Sequence, residues 1–265
     1  VNISATEAWV LDLDTVMNDG DPVSPRGRNT LEVVGYKALT VDMTRPVIVV
    51  PERKLGYKFL AAEAAWILSG DDKVATIAPY SKDISKFSDD GHKFAGAYGP
   101  KVVDQLEYVV DCLVKDPDSR QAVLNIWREN PGPSKDIPCT LSLQFLYRED
   151  IVHCVASMRS SDLWLGHVYD VFNFSMIAAY VAIKLRTCTG RVVGLGDLHL
   201  TAGSKHVYEE NFDAARLVLK TTDQNGTDDG PTVDVYKFST ADDLVSHLWQ
   251  LAETGEAKEQ SSWDA

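Results

Sequence analysis

Residues 171–188, VFNFSMIAAYVAIKLRTC, restrict the possible folds more than any other stretch of the chain. Apolar residues lie on most sides of the helix this segment would form, and a helix without a polar face has to be enclosed. The segment therefore predicts a buried central helix with the other elements packed around it. A chain of 265 residues with 45% apolar content can supply that shell as a single domain over residues 1–265.

The shell is mixed. TLEVVGYKALTVD (30–42) and RPVIVVP (45–51) alternate or run β-branched residues as strands do. YKFLAAEAAWILSG (57–70) spaces its apolar residues as a helix and stops at a glycine, and KVVDQLEYVVDCLVKDPDSR (101–120) is an amphipathic helix closed by an Asp-Pro turn. Three strands follow: QAVLNIW (121–127), TLSLQFLYRED (140–150) and IVHCVASMRS (151–160). RVVGLGDLHLTAG (191–203) reads as a last strand and HVYEENFDAARLVLK (206–220) as a helix. NDGDPVSPRGRN (18–29) and TTDQNGTDDGPT (221–232) are turn-rich and read as surface loops. Helices and antiparallel strands without a regular βαβ alternation predict an α+β fold.

A formal charge of −13 argues against a broad nucleic-acid-binding face, which needs an excess of Lys and Arg. A few local arginines still suffice for a small phosphate. The sequence lacks a run of about 18 uniformly apolar residues and a basic-then-apolar start, so a cytoplasmic protein with no membrane partner is expected. Cys112, Cys139, Cys154 and Cys188 lie far apart with no C-x-x-C pair, which predicts reduced thiols and no metal site.

Cys139, in DIPCTLSLQF (136–145), has two readings. A cysteine entering an apolar strand is most simply a small buried hydrophobe. It also stands at a turn, and the next strand ends in Arg159, a permanent cation that favours a thiolate or holds a phosphate nearby. Glu63, in AAEAAW, is likewise either a surface residue snorkelling off its helix or a buried acid with a raised pKa. RSSD (159–162) by itself is a solvated turn.

These residues gain meaning from their order. EAAWILSG (63–70), GAYG (96–99), DPDSRQ (116–121), PC (138–139), RSSDLWLG (159–166) and GSKHVY (203–208) together resemble the thymidylate synthase family, over about residues 24–212. The resemblance implies a mixed sheet with helices packed around a buried central one. It also implies a pyrimidine nucleoside monophosphate substrate, 5,10-methylenetetrahydrofolate as one-carbon donor, and a homodimer that shares a phosphate arginine across its interface. Cys139 would be the nucleophile and Glu63 a proton relay, with Tyr98 beside them. Arg120 and Arg159 would clamp the phosphate, with Arg26 or Arg28 as a third cation and Ser160 and Asp162 completing their motif. His206 and Tyr208 would hold the sugar, since the alternative His199 lacks a tyrosine two residues on. Arg53, Lys54 and Asp162 would face the folate. The residue types suit the chemistry, because C5 of a pyrimidine is a poor nucleophile until a thiolate adds at C6.

The departures are equally informative. The family's synthases read the base with an asparagine where this chain has Asp170, in LGHVYD. An ionised carboxylate only accepts, so it would repel uracil O4 and accept from the exocyclic amine of cytosine. Alternatively, Asp170 caps the following helix. Thr140, Met158 and Gln121 replace a histidine, a glutamine and a second arginine, and residues 73–94 hold no tryptophan to complete an aromatic wall. An open wall would let water add to the exocyclic methylene and give a 5-hydroxymethyl group. The pattern is similar to the deoxycytidylate and cytidylate 5-hydroxymethylases, with Ser160 favouring dCMP over CMP. The competing expectations are a folate-dependent (d)CMP methylase, a thymidylate synthase, and a non-catalytic nucleotide-binding relative. Cys139 together with Glu63 argues against the last.

Overall fold

In the computed structural model of the protein, which describes residues 3–81 and 83–255, the apolar segment forms a single helix over His167–Thr189 (α5). The rest of the expected single domain, residues 1–2, Lys82 and 256–265, lies outside the described residues. Helix α5 is long and apolar enough to cross a membrane, but most of it is buried against the sheet, residues 57–68 and residues 99–115. It ends at Gly190, whose left-handed backbone (φ 69°) suits a residue without Cβ.

Before it come α1 (Ala5–Asp19), β1 (Asp21–Val23), β2 (Thr30–Lys37), β3 (Val41–Asp42), α2 (Tyr57–Leu68), α3 (Val74–Ile77), α4 (Gly99–Lys115), β4 (Val123–Asn125), β5 (Thr140–Arg148), β6 (Ile151–Met158) and β7 (Ser161–Asp162). After it come β8 (Gly194–Tyr208), α6 (Phe212–Asn225) and α7 (Ala241–Thr254). The strands form a mixed sheet in the order β1-β2-β8-β6-β5-β4, with β3 and β7 also on β8. Only β6 and β7 run parallel to β8. Alternate residues Phe145, Cys154, Ala156, Leu198 and Leu200 are buried on the face that meets the helices. The α+β architecture and the buried central helix are as expected, and all four cysteines are free thiols.

Three expectations need correction. RPVIVVP is buried but forms no strand: Thr6 of α1 donates to Val47 O (3.4 Å) and accepts from Val49 N–H (3.0 Å), so a helix side chain takes the place of a neighbouring strand. HVYEENFDAARLVLK is not all helix, because His206–Tyr208 pair with Glu32–Thr30 of β2 and the helix starts only at Phe212. The polar stretches are not all loop: 18–29 contains β1 and a 3-10 turn at Pro25–Gly27, and 221–225 are the last residues of α6. Helices α1 and α7 were not anticipated. Their starts are nonetheless marked: Ser4 accepts from Glu7 N–H, and Thr240 with Asp243 forms a capping box.

Candidate active site

The β5–β6 hairpin sets the first contact. Glu149 and Asp150, with φ of 51° and 62°, make its two-residue turn, and pairing runs in one register from Arg148↔Ile151 to Ser142↔Ser157. The register then slips by one residue at Leu141, so that Thr140 faces Met158. Cys139 consequently comes beside Arg159, whose N–H donates to Cys139 O at 2.8 Å. The Arg159 guanidinium donates to Pro138 O (2.8 Å) and Ile137 O (2.9 Å) and lies 3.6 Å from the Cys139 sulfur. Burial pushes this thiol up, Arg159 pulls it down, and Asp170, Asp162 and Asp136 oppose the arginine. The net shift is upward, so near neutral pH the sulfur is held mainly as a thiol.

Tyr98 and Asp170 act on that sulfur from two helices, and Glu63 of α2 acts in turn on Asp170. Tyr98, at the start of α4, accepts from Thr140 Oγ1 (2.9 Å) and from Thr140 N–H (3.3 Å). Burial, then the charges of Asp170 and Cys139, hold its hydroxyl far above the usual range. Asp170 and Asn173 stand three residues apart on α5 and so share a face. Asn173 donates to Glu63 Oε2 at 2.7 Å, while its own Oδ1 is buried without a partner. Burial pushes the Glu63 carboxyl up to about 7, partly offset by Asn173. Burial and then the Glu63 charge push the Asp170 carboxyl up to about 8, against the pull of Lys205. Both residues retain some exposed surface, so a substrate can reach them.

The capping role for Asp170 does not hold. Helix α5 is capped by Gly166 without a side-chain hydrogen bond, and Asp170 lies within its first turn. The charge expected of Asp170 also changes. In these surroundings it is a neutral acid near neutral pH, with one O–H donor and one C=O acceptor, rather than an acceptor alone.

The rim comes from β7, β8 and two loops. Asp162 faces His206 in the β7–β8 ladder, and its Oδ1 accepts from Trp164 N–H (2.8 Å) and Leu165 N–H (3.0 Å). His206 is buried, with Nδ1 3.3 Å from Ser204 Oγ and its ring edge-on to Tyr208 at 5.1 Å. Arg28 lies over the Tyr208 ring (3.6 Å) and pairs with Glu210 (2.7 Å). Arg53 donates through Nε to Trp164 O (2.9 Å), with its guanidinium 5.2 Å from the Trp164 ring. His199 instead bonds Thr40 Oγ1 (3.3 Å) and clusters with His153 and Asp197. In that cluster His153 Nδ1 already accepts Asp197 N–H at 3.1 Å.

Some expected residues are not drawn in. Arg120 is exposed, and its carbonyl accepts from Gln144 (2.8 Å). Arg26 and Lys54 are exposed, with left-handed backbones (φ 55° and 49°). Ser160 is half-buried between Arg159 and β7. Residues 73–94 hold no tryptophan, yet Phe94 packs edge-on to Trp66 (5.6 Å) and Trp249 of α7 lies 6.3 Å from Tyr80. Asn173 is a site residue outside the sequence motifs; its signal is an amide in an apolar helix one turn beyond Asp170.

Comparison with known proteins extends the resemblance. The family model described as thymidylate synthase matches residues 9–242, well past the region the motifs marked. A deoxyuridylate hydroxymethyltransferase of Bacillus phage SP01 is 29% identical over 260 residues, covering 88% of this chain and 65% of that protein. The chain thus spans a little under two thirds of that relative's length.

Proposed function

The chain belongs to the thymidylate synthase family, and from that premise we propose that it transfers a one-carbon unit from 5,10-methylenetetrahydrofolate to C5 of a pyrimidine nucleoside monophosphate, leaving a hydroxymethyl group. The supporting observation is that one fixed cation, Arg159, and the Asp170 carboxyl act on Cys139, while a second raised carboxyl, Glu63, acts on Asp170 and is held by Asn173 of the same helix as Asp170. A nucleophile, a candidate phosphate ligand and two linked proton donors thus form one chain of interacting groups.

In this reading the nucleotide phosphate takes the Arg159 guanidinium, and His206 and Tyr208 receive the sugar. Arg120 reaches the phosphate of a second copy, in a homodimer. Asp170 meets the base edge. For cytosine its O–H donates to N3 and its C=O accepts from the exocyclic amine. As the Cys139 thiolate adds to C6, Asp170 passes its proton to N3 and neutralises the charge that builds there. Glu63 moves protons to and from the C5 side, and Asn173 holds it in place. Arg53, backed by Trp164, and the unpartnered Asn173 Oδ1 suit the folate, which supplies carbon at the formaldehyde level. The C5 proton passes toward Glu63 as the bond from the transferred carbon to the folate nitrogen breaks and tetrahydrofolate leaves. Water adds to the resulting exocyclic methylene, N3 returns its proton to Asp170, and the C6–S bond breaks to return the Cys139 thiolate.

Cytidylate is the proposed substrate, dCMP before CMP. Deoxyuridylate is a second reading with its own support: a protonated Asp170 also donates to uracil O4 and accepts from N3–H, and the phage relative is named for that substrate. Incubation with dCMP, CMP and dUMP plus the folate, with products read by mass, tests base, sugar and reaction together. A gain of CH2O is expected on cytidylate. A gain of CH2 makes the protein a methylase, and product from dUMP alone overturns the cytosine assignment.

A further inference from the structure

Behind the cleft lies a buried ammonium that the mechanism above does not use. Lys205, near the C-terminal end of β8, has no exposed surface. Its Nζ lies 2.7 Å from His167 Nδ1, 3.3 Å from Ser161 Oγ and 3.9 Å from Asp12 Oδ2. Five elements meet there: α1 brings Asp12, β7 Ser161, α5 His167, β8 the lysine, and β2 Tyr36, which donates to Asp12 Oδ1 at 2.9 Å. Asp12 Oδ2 is buried with no hydrogen-bond partner, so the Asp12–Lys205 pair is an unbridged ion pair rather than a closed salt bridge.

Stability does not explain such a residue. Taking an ammonium out of water costs several kcal/mol in general, and buried ion pairs are often replaced by apolar residues without loss. The placement suggests another purpose. His167 opens α5, and Asp170 follows three residues later on the same helical face. Lys205 is paired to Ser161 across the ladder, and its neighbour His206 to Asp162. The ammonium is thus tied to the first turn of the helix that carries Asp170, and its charge acts on that carboxyl.

We propose that Lys205 is a positioning residue for Asp170: a buried countercharge, held by Asp12, His167 and Ser161, that lets the Asp170 carboxyl give up its proton during the reaction and recover it afterwards. The base-reading role of Asp170 rests on the function proposed above; the electrostatic coupling does not. Asp170 also faces Glu63 from α2, Asp162 from β7, Tyr98 from the start of α4, and Cys139. Lys205 also faces Asp162 and His206. All the carboxylates make ionisation of Asp170 harder, and Lys205 is the cation that opposes them.

The test follows the carboxyl directly. Full-length protein carrying carbon-13 in its aspartate carboxyls is titrated by NMR, with the Asp170 signal assigned by its loss in Asp170→Asn. Lys205→Met should move the Asp170 midpoint upward by about one pH unit or more, the size expected when a nearby opposite charge is removed. Lys205→Gln removes the same charge while keeping a polar side chain toward Ser161 and His167, and should move the midpoint in the same direction. An unmoved midpoint in folded Lys205→Met overturns the proposal; if that variant does not fold, an unmoved midpoint in Lys205→Gln does so. A merely structural lysine changes melting temperature and leaves the midpoint alone. Because no substrate is present, inactivity of the wild-type protein would sink the proposed reaction without affecting this result. In active protein, the alkaline limb of kcat/KM should shift upward with the midpoint.

Discussion

Replacing Asp170 by asparagine separates hydrogen bonding from proton transfer at the base. Among the described residues no side-chain hydrogen bond holds the Asp170 carboxyl, so an amide of nearly the same volume breaks no protein contact. Burial and Glu63 push the acid up to about 8, so near neutral pH it offers one donor and one acceptor, as an amide does. Cytidylate should therefore bind the variant with a KM within about threefold of wild type. Turnover differs, because an amide cannot surrender its proton to N3 as charge develops there. A positioned general acid contributes about 10²–10⁴ in rate, so kcat on cytidylate should fall by that factor, or about 2.7–5.5 kcal/mol in barrier. On deoxyuridylate the amide still donates to O4, and the cytidylate-to-uridylate preference should drop by a similar factor. The assay is release of tritium from C5 of each nucleotide under steady-state conditions. A variant that keeps cytidylate kcat within about threefold of wild type would refute the proton-transfer role.

Other variants probe the rest of the cleft. Arg159→Ala removes the phosphate cation and the clamp on Ile137 and Pro138, and should raise the nucleotide KM by roughly ten- to a hundredfold, from a charge-assisted contact of about 1.5–3 kcal/mol; steady-state kinetics with an unchanged KM would move the phosphate elsewhere. Arg120→Ala and Cys139→Ala, each impaired alone, should regain activity when mixed and allowed to exchange subunits, and no recovery would contradict the shared arginine. Glu63 and Asp170 both titrate higher in the folded protein than in the unfolded chain, so the folded state keeps protons that the unfolded one loses. Their contribution is complete below the unfolded carboxyl values and declines as pH rises through about 7 to 8. Glu63→Gln should accordingly raise Tm over wild type more at the alkaline end of that window than at the acid end, and an equal difference at both ends would refute this.

The elements that bury their own periodic faces were legible in the sequence. Helices α2, α4 and α5 and strands β5 and β6 announce themselves through apolar spacing and through Gly or Asp-Pro stops. RPVIVVP misleads because a β-branched run reports burial, and only the distant Thr6 decides that no strand pairs with it. In the site, Cys139, Glu63, Tyr98 and Arg159 could be named from their motifs. What could not be read was the one-residue slip at Leu141 that brings Cys139 to Arg159. Nor was the charge of Asp170 legible, since it depends on Glu63, Asp162 and Lys205, which reach it from other elements. Lys205 stands beside His206 in GSKHVY, where a lysine in a strand reads as solvent-facing, and only the packing of α1 and α5 shows that it is buried.

The central claim is that Cys139 forms a covalent bond to C6 of the nucleotide. A 5-fluorinated cytidylate tests it directly, because fluorine at C5 cannot be removed as a proton and the adduct should persist. Wild-type protein is incubated with this analogue and 5,10-methylenetetrahydrofolate, digested, and its peptides weighed. The account predicts the adduct on the peptide containing Cys139 and its disappearance in Cys139→Ala. An adduct on Cys112, Cys154 or Cys188, or none on any cysteine while the natural substrate is still turned over, would contradict it.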